Sequence, residues 1–472
     1  MYLGLDLGTS SLKALLVDED GAVRGEASAP LTVERPHPAW SEQDPDSWAR
    51  ACRATCAGLG DLSDVRAVGL SGQQHGATLV GGDGRALRPC MLWNDTRAAA
   101  EAEAFDDAAG RRAAGTIVFP GFTAPKVEWV RRHEPDVFAR TERVLLPKDY
   151  LRLWLTGEVW SDMSDASGTG WLDVGARAWS AAMLDRSGLA EAAMPRLAEG
   201  SAPAGRVSRA AADATGLLEG IPVAGGGGDN AAAAVGTGAV APGRGFVSLG
   251  TSGVLFVSTA AFRPAPETAV HTFCHAVPGT WHQMGVILAA TDSLEWAARM
   301  TGRDAGALAT GEMAAPGRAL FLPYLGGERT PHNDARVRGA LLGIGHATDA
   351  AALGRAVMEG VAFAVADCLR AIRAAETPVD HLLAVGGGAR SALWLQIVAT
   401  ALGLPLAVPK GGAFGAALGA ARLAMMADGA GIEVAEAPPI ETVVEPDPNH
   451  AAAFADAHAR YRAAYEAVRE LS

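Results

Sequence analysis

Asp229 has the surroundings of a residue that does chemistry. It follows the run PVAGGGG over 222–228 and precedes Asn230 and the alanines 231–234. A short apolar run that enters glycines and leaves into alanines reads as strand, turn and helix. Glycine lets backbone approach a ligand closely. A carboxylate at the start of the helix can hold a metal or accept a proton. The same position also suits Asp229 or Asn230 to ordinary N-capping.

A second group lies at the N-terminus. Apolar strands flank a turn containing Asp6, Gly8, Thr9 and Ser10, and a further hairpin closes over Asp18 to Gly21. Amides and hydroxyls of such a turn can cradle phosphate, Lys13 can reach it, and Asp6 can hold a metal through water. An ordinary hairpin with a polar tip reads equally well. The tetrapeptide LGTS at 7–10 recurs at 249–252, again between apolar strands. Two halves that each offer a phosphate-binding hairpin would clamp one nucleotide.

The elements between these groups would carry the substrate side. A strand over 65–70 ends in SGQQHG, where Gln73, Gln74 and His75 can hydrogen-bond a polyhydroxylated ligand. The alternative for His75 is a solvated loop histidine. Residues 119–129 read as a loop entering a helix, and 161–169 as a small, polar loop over a cleft. A strand from 319 runs into a charged loop in which Glu328 and Arg329 are expected to pair. An amphipathic helix over 352–375 precedes a strand at 381–385, the glycine run 386–388 and a helix over 392–402. That strand–glycine–helix passage would admit adenosine or phosphate closely. Residues 409–421 read as another glycine-rich turn into a helix, and 449–471 as a surface helix.

Composition narrows the class. A chain of 472 residues, 49% hydrophobic and 20% charged, is an ordinary globular protein with room for two or three domains. The net charge of −13 argues against a nucleic-acid partner. ATP is not excluded, because loop amides and a metal neutralise phosphate locally. Five cysteines lack paired spacing, and Cys52 and Cys56 have no partner cluster for zinc. The expectation is a reduced cytoplasmic protein with no signal peptide and no membrane span.

Taken in order, several segments resemble the FGGY carbohydrate kinases. They are Asp6 to Ser10, Trp40 to Pro45, Gly72 to Gly76, Leu92 to Asp95, Pro120 to Trp129, Leu146 to Tyr150, Ser161 to Thr169, Gly226 to Asn230, Ser248 to Ser252, Leu322 to Asp334 and Gly386 to Ser391. The resemblance spans nearly the whole chain. It implies an α/β fold of two actin-like, ribonuclease-H-like (ASKHA) domains with a catalytic cleft between them. The N-terminal sugar-binding domain would cover 1–240 and the C-terminal nucleotide-binding domain 241–472. It implies phosphoryl transfer from ATP, with Mg2+, to a primary hydroxyl of a ketopentose, D-xylulose in the most similar members. Asp229 would be the general base, and Asp6 and Asp229 the metal ligands. Gln74, His75, Asp229 and Asn230 would meet the sugar. Thr9, Ser10, Lys13, Gly250, Thr251 and Ser252 would surround the phosphates, and Gly387, Gly388 and Ser391 the adenosine side. The family also suggests a homodimer.

Two departures stand out. The family pattern usually has methionine where this chain has Gln74, so an extra amide could add a hydrogen bond and shift the preferred acceptor. Gly326 replaces a common serine, with an effect expected on loop packing only. The competing functions are a kinase for ribulose, glycerol or another polyol, and a non-catalytic nucleotide-gated clamp.

Overall fold

The computed structural model describes residues 1–410 and 415–471, so part of the glycine-rich turn expected over 409–421 lies outside the described residues. The first hairpin forms as its pattern predicts. Strand β1 (Tyr2–Leu7) pairs antiparallel with β2 (Ser11–Val17), and Gly8 N–H donates to Ser11 O across the turn at 3.0 Å. β2 pairs with β3 (Val23–Pro30), while β4 (Ala67–Gly72) lies parallel to β1 on its other side. β5 (Pro203–Arg206) and β6 (Pro222–Ala224) extend the sheet beyond β4, and the short β7 (Gly227–Gly228) also pairs with β4.

A second seven-stranded sheet repeats this plan. β8 (Arg244–Leu249) and β9 (Gly253–Thr259) form the hairpin around the second LGTS. β10 (His271–Cys274) and β11 (Trp281–Ile287) follow, with β11 antiparallel to β9. β12 (His381–Val385) runs parallel to β8, β13 (Leu406–Pro409) parallel to β12, and β14 (Ile440–Val444) closes the edge. The order β3-β2-β1-β4-β6 in one sheet therefore matches β11-β9-β8-β12-β13 in the other: an antiparallel meander, then parallel strands.

Each sheet has its own apolar core. Helix α1 (Ala350–Ala374) crosses the second sheet and is buried through most of its length. Its N-cap is Asp349, whose carboxylate accepts from Ala352 N–H at 2.8 Å. The final helix, α2 (Ala451–Val468), is not only a surface element. It buries Phe454, Tyr461 and Tyr465, and the Tyr324 hydroxyl donates to the Tyr461 hydroxyl at 2.8 Å.

Helix α3 (Gly415–Ala427) lies between β13 and β14 of the second sheet in the chain yet packs on the first. A Cβ built on Gly4 would lie 2.0 Å from Ala417 O, and one on Gly69 would lie 1.8 Å from Ala420 O. Only hydrogen at those two positions permits so close an approach of helix to strands. Among the described residues no helix is long and apolar enough to cross a membrane.

Candidate active site

The register of the first sheet brings two acids together. Asp6 on β1 lies beside Ser71 on β4, and Ser71 lies beside Gly227 on β7. Two residues beyond Gly227, Asp229 opens helix α4 (Asp229–Thr237). The N-cap of that helix is Gly228, so neither Asp229 nor Asn230 is the N-cap that the sequence allowed. Instead Asn230 donates its backbone N–H and its Nδ2 to Asp229 Oδ1, at 2.7 and 2.9 Å.

Burial, and then the nearby Asp6 charge, push the Asp229 carboxyl up to about 7, against the pull of the Asn230 hydrogen bonds. Burial likewise raises Asp6, with Lys13 drawing it back in part. Asp6 Oδ1 is buried without a hydrogen-bond partner among the described residues. An orphaned carboxylate oxygen beside a second acid is a donor set that suits a hard divalent cation.

His75 and Gln74 leave β4 toward the same region. His75 has φ 67°, and its carbonyl oxygen accepts from Thr123 Oγ1 at 3.1 Å and Lys126 Nζ at 3.0 Å. Lys126 is buried, and burial draws its ammonium down to about 7. The His75 ring stacks on Phe122 at 4.5 Å, with Nδ1 2.7 Å from Gly168 O. A carbonyl can only accept, so Nδ1 carries the proton and Nε2 remains an acceptor. Burial presses the imidazole down to about 3, leaving it neutral. It is a packed, oriented ring rather than a solvated loop histidine.

The Gln74 amide is turned into the protein. Nε2 donates to Ser164 O at 3.1 Å, and the side chain lies against Gly228, where a Cβ would come 2.5 Å from it. One of the two Nε2 hydrogens thus already serves Ser164.

The expected Glu328–Arg329 ion pair does not form. Glu328 Oε1 accepts from the backbone N–H of Leu288 and of Arg329, at 3.0 and 2.7 Å. The Arg329 guanidinium lies instead over the Phe119 ring, 4.1 Å from its centre. Arg329 belongs to the second half of the chain and Phe119 to the first. Contacts of Cys274 N–H with Ser167 Oγ (3.1 Å) and Thr272 N–H with Gly115 O (3.1 Å) also join the halves here. The roles of Lys126, Phe122, Ser164 and Arg329 escaped sequence reasoning, because each depends on a partner distant in the chain.

The phosphate-side residues fall into two turns. Thr9 Oγ1 donates to Gln73 Oε1 and accepts from Trp93 Nε1, both at 3.0 Å, so its hydroxyl proton is committed. Ser10 is exposed, and Lys13 Nζ is 2.8 Å from Glu26 Oε1 while sharing a cross-strand pair with Asp6. In the second turn Thr251 and Ser252 are exposed, and Gly250 O accepts from Thr291 N–H and Oγ1 at 2.8 and 2.9 Å. The run after β12 adjoins this turn. A Cβ on Gly386 would lie 2.7 Å from Leu249 O.

Two residues expected on the adenosine side also serve the fold. Gly388 is buried, and a Cβ there would lie 2.8 Å from Leu249 Cβ. Its small size serves packing. Ser391 Oγ accepts from Trp394 N–H (3.1 Å) as the N-cap of the helix Ala392–Leu402 and donates to Ala309 O (2.6 Å). The hydroxyl proton is thereby committed to Ala309. Gly387 alone of the three faces open space.

Comparison with known proteins agrees with this arrangement. Residues 1–236 match the N-terminal domain of the FGGY family of carbohydrate kinases, and residues 245–427 match its C-terminal domain. A xylulose kinase of Escherichia coli (strain K12) is 46% identical over the full length of both chains. One from Klebsiella pneumoniae is 48% identical over 90% of each. A solved structure from Brucella ovis, named as a xyloylose kinase, superposes with a TM-score of 0.97 at 53% identity, covering all of both chains. With both domain models matched across the two repeated sheets, the chain belongs to the FGGY family of carbohydrate kinases.

Proposed function

We propose that this protein transfers the γ-phosphoryl group of ATP to the 5-hydroxyl of D-xylulose, giving D-xylulose 5-phosphate and ADP. The observation that carries the chemistry is the half-buried Asp229 carboxylate, held by Asn230 beside Asp6. Full-length relatives named xylulose kinase support the acceptor.

A sugar hydroxyl is a weak nucleophile. Asp229 orients it and takes its proton as the oxygen bonds to the γ-phosphorus and the bond to the departing ADP oxygen breaks. A base titrating near 7 is matched to neutral pH, being substantially ionised yet still basic. His75 Nε2 accepts a hydroxyl hydrogen from the sugar and fixes its orientation. Backbone amides of Thr9 and Ser10 and of the turn Gly250–Ser252 receive the phosphates, and Gly387 lies toward the nucleoside. Asp6 and Asp229 would hold Mg2+, which supplies neutralisation of phosphate charge. Partial burial of both acids strengthens the charge interactions at the site.

The test is ADP release with MgATP and D-xylulose, D-ribulose, glycerol or no sugar. Strong stimulation by D-xylulose above the others is expected. Preference for another acceptor would overturn the substrate, and no sugar stimulation at all would overturn the kinase reading.

A further inference from the structure

Beneath the Asp229 turn lies a buried ionic cluster that the proposed chemistry does not use. Lys148 Nζ is 2.5 Å from Asp149 Oδ1, 2.9 Å from Asp162 Oδ2 and 3.4 Å from Asp165 Oδ2. Arg152 adjoins Asp149 at 3.9 Å, and all five side chains are fully buried. The three acids lie as close together as metal ligands, but the Lys148 ammonium already sits among them. Burial opposes the charge on Lys148, and the three carboxylates more than restore it. Burial pushes the Asp165 carboxyl well above the carboxylate range, against the pull of Lys148.

Buried ion clusters are poor sources of stability, because desolvation offsets most of the attraction. Their best use is to impose one arrangement on their neighbours. Here two arms leave the cluster for the glycine turn. Arg152 donates from Nη1 to Ala224 O and from Nη2 to Gly225 O, both at 2.6 Å. Asp162 Oδ1 accepts from Ser164 Oγ at 2.5 Å, and Ser164 Oγ accepts from Gly228 N–H at 3.1 Å. The turn is thus gripped at its entrance and at the residue just before Asp229. Between the grips stand Gly226, with φ 76° and its N–H on Gly200 O at 2.8 Å, and Gly227, paired with Ser71 of β4. Glycine backbone has the most freedom of any residue, so the turn cannot aim Asp229 by its own stiffness. External hydrogen bonds must do so.

We propose that Ser164 and Arg152 are positioning residues for Asp229, hung on the Lys148 cluster so that the carboxylate meets the acceptor hydroxyl in one orientation. The proposal rests on Asp229 being the base. A displacement of about 1 Å at a reacting group can lower a rate about 100-fold.

The experiment compares kcat and KM of the full-length enzyme and its Ser164→Ala, Arg152→Lys, Asp229→Asn and Ser164→Ala/Asp229→Asn variants. Ser164→Ala and Arg152→Lys should each lower kcat by ~10–100-fold, with KM for D-xylulose and ATP nearly unchanged. The double variant should be no slower than Asp229→Asn, because Ser164 acts through Asp229. An unchanged kcat in Ser164→Ala beside an inactive Asp229→Asn would overturn the positioning role alone. A further slowing in the double variant would overturn it too. Wild-type turnover in Asp229→Asn would instead remove the base assignment on which the proposal stands.

Discussion

Asn230 binds Asp229 through one oxygen only. Its backbone N–H and its Nδ2 converge on Oδ1, at 2.7 and 2.9 Å. The two donors lower the proton affinity of that oxygen, which leaves Oδ2 as the more basic one. A residue and its immediate successor thereby divide the work of carrying the base and choosing its reactive atom.

Replacing Asp229 by asparagine keeps the size and removes the base. kcat should fall by ~10²–10⁴-fold. Calorimetric titration should show ATP binding retained, since the proposed phosphate site is made by the two turns. Turnover close to that of the unaltered enzyme would remove Asp229 from the mechanism.

The acid limb of kcat/KM should lie near pH 7, because Asp229 must be ionised to act and its carboxyl is pushed up to about 7. Below that pH the base is protonated and the rate declines about tenfold per unit. Asp6→Asn removes a negative charge that raises Asp229, so the limb should move to lower pH. A limb unmoved by the substitution would show that Asp6 does not act on Asp229 electrostatically.

Arg329 lies over Phe119, and the adjacent Glu328 acts on its charge without a hydrogen bond from the guanidinium. From the second half of the chain its charge is felt by His75, the proposed sugar contact. Arg329→Met should raise KM for D-xylulose about tenfold or more, with KM for ATP little changed. Equal effects on both substrates would argue for a structural role instead.

Glu328 is pushed up to about 8 by burial, so the folded protein holds it neutral at pH 7. A raised carboxyl makes the folded state the better proton binder. Its stabilising contribution is full below the unfolded carboxyl range and is lost as pH rises through about 8. Glu328→Gln cannot ionise. Its Tm relative to the unaltered protein should therefore improve between pH 5 and pH 9, and a constant difference would contradict the assignment.

Helices α3 and α4 meet at Gly419, where a Cβ would lie 1.7 Å from Ala232 O. The obstacle is backbone, which cannot swing aside. Gly419→Ala should cost about 3 kcal/mol or more of stability, at the upper end of overpacking effects. Chemical denaturation measures it directly.

The hairpins around Thr9 and Thr251 were legible because they depend on local rules: apolar strands, a small polar turn, and repetition. The helix expected over 352–375 appears as Ala350–Ala374 for the same reason, its period being written in consecutive residues. The fate of individual polar groups was less legible. Adjacent Glu328 and Arg329 looked like a pair, yet backbone amides took the carboxylate and an aromatic ring from the other half took the guanidinium. The helix-capping duty of Ser391, bonded to Trp394 and Ala309, was likewise not evident from its glycine-rich neighbours.

By itself the sequence determined the two repeated sheets, the family, and Asp229 as the residue to examine, since period, turn chemistry and motif order are all properties of neighbouring residues. The tertiary structure alone decided which way Gln74 turns, which nitrogen of His75 stays basic, and what holds the Asp229 turn. Those outcomes depend on Ser164, Gly168 and Arg152, which only folding brings within hydrogen-bond distance.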